Sequence, residues 1–73
     1  MFQSEIFGDR LHLLRNERGM SQQALGELIG VGKTQISEME NGHATTTFSN
    51  LVILADYFEV TADYLLGRTD QRN

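Results

Sequence analysis

The chain has 73 residues, ten acids against six bases for a net charge of −4, and neither cysteine nor proline. A length of this order supports one domain with a small core, about 60% of the unfolded surface being buried on folding, which argues against a deep substrate cleft. The missing cysteines exclude a disulfide framework and a thiolate metal site and fit a cytoplasmic setting, while the longest apolar run, Leu51 to Ala55, is far too short for a membrane span and Met1 to Gly8 lacks the basic start and apolar stretch of a signal peptide.

The first predicted helix runs from Ser4 to Arg18, with Phe7, Leu11 and Leu14 on one apolar stripe and Gly19 as its stop. Ser21 is placed to cap a second helix, Gln22 to Ile29. Gly30 to Gly32 form a turn, and Lys33 to Asn41 a third helix closed by Gly42. After a polar loop at Thr45 to Thr47, Thr47 caps a fourth helix in which Phe48, Leu51, Val52, Ala55 and Phe58 follow helical spacing. Thr61 caps a short fifth helix, Ala62 to Leu66, which Gly67 ends. Arg68 to Asn73 read as a frayed polar tail. There is no repeat, no linker and no alternation long enough for a sheet. The expectation is an all-α, compact five-helix domain over residues 1–73, ordered from about 4 to 67. Its core should hold Phe7, Leu11, Leu14, Leu25, Leu28, Ile36, Met39, Leu51, Ala55, Phe58 and Leu65.

Residues 22–41 carry most of the functional information. Leu25, Leu28, Ile29, Val31, Ile36 and Met39 are spaced as two short, steeply crossing helices need to share one small core. Gly26 supplies the small residue where the backbones approach, and Gly30 the left-handed turn. This is the pattern of a helix-turn-helix, whose second helix can enter the major groove of DNA.

The chain resembles the Cro/repressor-type (Xre family) helix-turn-helix domains. The resemblance rests on Arg15-Asn16-Glu17-Arg18-Gly19-Met20-Ser21-Gln22, on Ile36-Ser37-Glu38-Met39-Glu40-Asn41-Gly42, and on Ala62-Asp63-Tyr64-Leu65-Leu66-Gly67. It covers roughly Phe7 to Gly67, and its specificity lies in the combination. It implies a five-helix DNA-binding domain of phage repressors and bacterial transcription regulators, commonly homodimeric. It also implies an ion pair between Arg15 and Glu40 that ties the first helix to the third, and a role for Asn41 in donating a hydrogen bond to a DNA phosphate. Three positions depart from the family pattern. Gly32 stands where Ser or Thr is frequent, Glu38 where a neutral or basic residue is frequent, and the loop His43 to Thr47 lacks the usual basic residues and proline. All three bear on DNA contact rather than on the fold.

At about 100° per residue, Ile36, Met39 and in part Glu40 face inward on the third helix, and Thr34, Glu38 and Asn41 share the opposite stripe. The candidate DNA-binding set is Ser21, Gln22, Gly32, Lys33, Thr34, Gln35, Glu38, Asn41 and His43. Lys33 can donate to guanine O6 or N7, or to a phosphate, and Thr34 can hydrogen-bond or touch a thymine methyl. Glu38 can accept from a cytosine amine but repels nearby phosphate, and is otherwise a solvated acid. Gln22, at a helix N-terminus, suits a phosphate, and its amide can also bridge to Lys33. Asn41 doubles as a helix C-cap, and His43 reads as a neutral surface residue.

Two other chemistries fail on spacing. Gly30-Val31-Gly32-Lys33-Thr34 looks like the end of a phosphate-binding loop, but Glu27 stands where that motif needs glycine and no strand precedes it. His12 and His43 share no ligand spacing with a carboxylate, so neither a metal, a cofactor, a small-molecule ligand nor a catalytic constellation is expected. The leading expectation is a sequence-specific regulator, a repressor acting as a homodimer on a pseudo-palindromic operator in double-stranded DNA. The competing one is a protein-interaction module on the same fold, an antitoxin or anti-repressor-like adaptor. The net negative charge favours the second, because phosphate neutralisation supplies much of the affinity of DNA binders.

Overall fold

The structure is a computed structural model and describes residues 2–73. Its elements are α1 (Ser4–Glu17), α2 (Gln22–Ile29), α3 (Lys33–Glu40), α4 (Phe48–Phe58) and α5 (Ala62–Leu65), with no strand among the described residues. Three of the starts are capped by the hydroxyls that the sequence offers. Ser21 Oγ accepts from the Ala24 N–H at 3.0 Å, Thr47 Oγ1 from Asn50 at 3.1 Å and Thr61 Oγ1 from Tyr64 at 3.0 Å. Each satisfies one of the N–H groups that a helix start leaves unpaired. The first, third and fifth helices end one residue earlier than expected, at Glu17, Glu40 and Leu65.

Two close approaches set the arrangement of α1, α2 and α3. A Cβ on Gly26 would collide with the Val31 carbonyl oxygen, and one on Gly8 with the carbonyls of Met39 and Glu40. Gly26 therefore lets the turn after α2 fold back on that helix, where its carbonyl accepts from the Val31 N–H at 2.9 Å. Gly8 lets α1 lie directly on the end of α3. The first contact is legible in the sequence and the second is not.

The core contains Phe7, Leu11, Leu14, Leu25, Ile29, Ile36, Met39, Leu54, Ala55, Phe58, Tyr64 and Leu65. Ile29, Leu54 and Tyr64 were not expected there, whereas Leu28 and Leu51, expected as core, are half-buried and pack against its rim. On α4 the inward stripe runs through Leu51, Leu54, Ala55 and Phe58 rather than through Val52. Leu54 lies about 60° from Leu51 around the helix and Val52 about 100°. Val52 faces outward with Ile53 and Tyr57, and Phe48 is 81% exposed.

The tail beyond Gly67 is not frayed. The Arg72 carbonyl accepts from the Thr61 N–H at 2.7 Å. The Arg72 guanidinium forks onto Glu17 at 2.8 and 2.7 Å. Arg10 donates to the carbonyls of Tyr64 and Thr69 and pairs with Asp70 at 2.9 Å. Charged side chains of α1 thus strap the last residues over α5, an order that the polar composition of the segment concealed.

Candidate nucleic-acid interface

The outer surface of α3 is set by what its inner surface buries. Ile36 and Met39 are fully buried and Glu40 nearly so. That leaves Gly32, Lys33, Thr34 and Gln35 as four consecutive exposed residues at the start of the helix, with Glu38 exposed one turn further on. Gly32 carries no side chain to cap α3, and a Cβ there would meet nothing within 4 Å. The N–H groups of Lys33 and Thr34 therefore have no side-chain acceptor, whereas those of Gln35 and Ile36 donate to the Gly32 carbonyl at 3.1 and 3.2 Å. Ser21 is exposed at the start of α2, its hydroxyl occupied as the cap, and Gln22 is half-buried beside it. Beyond α3, Asn41 and His43 are exposed. Asn41 Nδ2 lies 3.4 Å from Ser37 Oγ, and His43 Nδ1 lies 3.6 Å from the Glu38 carboxylate. All nine candidate positions thus lie on the helix-turn-helix or within three residues of its end, from Ser21 to His43.

Behind α3 sits a polar cluster centred on Glu40. Arg15 Nε donates to Glu40 Oε2 at 2.6 Å and Arg15 Nη2 to Oε1 at 3.0 Å, while Nη1 donates to the Met20 carbonyl at 2.7 Å. One guanidinium thereby links α1, the turn that follows it and the last residue of α3. The planar fork suits this better than a lysine could. Asn16 Nδ2 lies 2.9 Å from His12 Nε2. With Nε2 accepting that bond, His12 Nδ1 donates to Glu40 Oε1 at 2.9 Å. Gln22 Nε2 donates to the same oxygen at 3.2 Å. The amide of Gln22 thus points to Glu40 rather than bridging to Lys33. Burial alone would raise the Glu40 pKa, but the hydrogen bonds from Arg15, His12 and Gln22 outweigh it and hold the carboxyl below its ordinary value.

His12 and Gln22 as partners of Glu40 were not foreseen. His12 lies three residues before Arg15, hence on the same face of α1, which was the one available signal. Gln22 approaches only because α2 crosses α3, and no linear spacing encodes that.

The helix-turn-helix family pattern matches residues 11–65. The HTH-type transcriptional regulator AnsR of Bacillus subtilis (strain 168) is 38% identical over 64 residues, a stretch covering 88% of this chain and 55% of that protein. The control protein C.SmaI of Serratia marcescens is 32% identical over 69 residues, 94% of this chain and 82% of that one. The c2 repressor of phage P22, solved in complex with a synthetic operator, superposes with a TM-score of 0.77 at 31% identity, covering 84% of this chain and 92% of that chain. The chain spans little more than half the length of AnsR, and less of several other regulators that it matches.

Proposed function

The chain belongs to the helix-turn-helix family, and from that premise we propose that it is a sequence-specific regulator that lays α3 in the major groove of double-stranded DNA. One observation carries the reading: Gly32 to Gln35 are exposed at the open start of a helix whose opposite side is fully buried. That is the geometry by which a helix-turn-helix offers side chains to base edges. In this reading Thr34, Gln35 and Glu38 face the bases, and Lys33, exposed at the start of the helix, reaches a phosphate. Ser21, Gln22, Asn41 and His43 flank them toward the phosphates, and Gly32 allows close backbone approach. Arg15 and Glu40 fix the pose of α3 without touching DNA. The protein acts in the cytoplasm, as a repressor.

A single α3 spans too few base pairs for high specificity. The reading therefore includes a homodimer on paired half-sites about 34 Å apart, joined through the outward apolar side of α4 at Ile53 and Tyr57, each about two-fifths exposed. Tyr64 on the neighbouring α5 is buried and takes no part. Selection of duplexes from a random-sequence pool, followed by binding to the enriched and to scrambled duplexes at graded salt, tests the reading. The expected result is one enriched, two-fold related motif. A folded protein that retains no duplex at low salt refutes it and moves the assignment to a protein-interaction module, for which the exposed Phe48, Val52, Ile53 and Tyr57 would then be the surface.

A further inference from the structure

We propose that Lys33 alone carries the salt-dependent part of DNA binding, so that each protomer displaces about one counterion. The inference rests on the DNA-binding reading above and concerns how that interface works. The cations of this chain are Arg10, Arg15, Arg18, Lys33, Arg68 and Arg72, and every arginine lies against a carboxylate. Arg15 is forked onto buried Glu40, and Arg72 onto Glu17. Arg10 pairs with Asp70 at 2.9 Å while its other amine holds two carbonyls. Arg68 lies 3.8 Å from Asp63. Arg18 lies 3.9 Å from Glu59 with its guanidinium over the rings of Tyr57 and Phe58. Lys33 is the one cation with no carboxylate within 4.0 Å among the described residues.

Position and pairing point the same way. Arg10, Arg68 and Arg72 gather where α1 meets α5 and the tail, and Arg18 leans on the C-terminal end of α4. Arg15 is held behind α3. The exposed stripe of α3 holds Lys33 and, one turn on, the opposite charge of Glu38. Counterions are released in proportion to the positive charge brought against the phosphates. Arg15 is already paired with a buried acid and brings none, while Arg10, Arg18, Arg68 and Arg72 stand against α4, α5 and the tail rather than on α3. The other donors of the face, amides, hydroxyls and open N–H groups, are uncharged and release no counterions. A net charge of −4 then sits comfortably with DNA recognition. It keeps binding to random sequence weak, since that mode is almost wholly electrostatic, and leaves affinity to groove contacts that only the right sequence completes.

The experiment measures binding of the full chain to a duplex selected from a random pool, between about 50 and 200 mM salt. The wild type should give a slope of log K against log salt of about −0.9 per bound protomer, the value for one neutralised phosphate. Lys33→Gln should bring the slope close to zero, whereas Arg18→Gln and Arg68→Gln, both at exposed pairs, should leave it unchanged. Circular dichroism confirms that each variant is folded. A wild-type slope of about −3 or steeper per protomer overturns the inference, as does an arginine variant that flattens the slope as Lys33→Gln does. Absence of any retained duplex at low salt overturns the DNA-binding reading and this inference with it, whereas a steep slope overturns this inference alone.

Discussion

Glu40 lies at the convergence of Arg15, His12 and Gln22, and its side chain is almost fully shielded from water. Removing it would leave the Arg15 guanidinium buried without its counter-charge. Glu40→Ala should therefore cost about 3–5 kcal/mol, a large share of the stability of a domain this small, as read by urea denaturation. The pair should also show in acid. The folded-state pKa of Glu40 lies below its ordinary value of 4.5, so its contribution is fully present above pH 4.5 and is lost as pH falls through the lower folded value. The stability gap between wild type and Glu40→Gln should accordingly narrow below pH 4.5. A gap that stays constant down to acid unfolding would show that the charged pair contributes nothing. Glu59 offers the opposite case. It adopts φ 58 as the C-cap of α4, a conformation that costs a side-chain-bearing residue about 1 kcal/mol. Its contact with Arg18 is long and exposed and worth little. Glu59→Gly should therefore leave the melting temperature unchanged or raise it slightly.

At the scale of elements, helix propensity and packing pull Gly8 in opposite directions. In an exposed helix interior, glycine to alanine gains about 1 kcal/mol. Gly8 instead meets the backbone of Met39 and Glu40, neither of which can rotate aside. Gly8→Ala should destabilise by about 1–3 kcal/mol, the range for overpacking, and lower the melting temperature by several degrees. An increase would mean that α1 and α3 are not in the contact described. Leu25, fully buried between α2 and its neighbours, should lose about 2–5 kcal/mol as alanine through the cavity that it leaves. The caps at Ser21, Thr47 and Thr61 and the stop at Gly30 were all legible in the sequence, because capping is local chemistry. On α4 Ala55 and Phe58 were read as core and are buried, whereas Leu54 was missed and Leu51 put in its place, because Leu51-Val52-Ile53-Leu54-Ala55 is apolar throughout and periodicity cannot choose among adjacent apolar residues. The choice is made by where α2 and α5 press on the helix.

For the molecule as a whole, the outward apolar side of α4 is where proposed assembly should be sensitive. Ile53→Glu places a charge in that surface and should shift sedimentation on a selected duplex from two protomers toward one, with little change in thermal stability because Ile53 is outside the core. Two protomers bound by the variant as tightly as by the wild type would place the contact elsewhere. The tail is a second feature of this scale. Arg10 and Arg72 tie it across α1 and α5, contacts between residues far apart in the chain, and its run of polar side chains gives no local hint of them.

The features legible along the chain are those that short-range chemistry controls. The helices, their caps, the turn at Gly30 and the inward residues of α3 follow from hydroxyls, glycines and apolar spacing within a few positions, and so does the exposure of Gly32 to Gln35 that follows from burying Ile36 and Met39. The partners that polar groups choose are set instead by packing in three dimensions. His12 and Gln22 joined Glu40, Gly8 met the end of α3, every arginine found an acid, and among the described residues Lys33 was left without one. A hydrogen bond or ion pair needs two groups within a few ångströms, and that distance is set by how helices cross, which no spacing along one chain records.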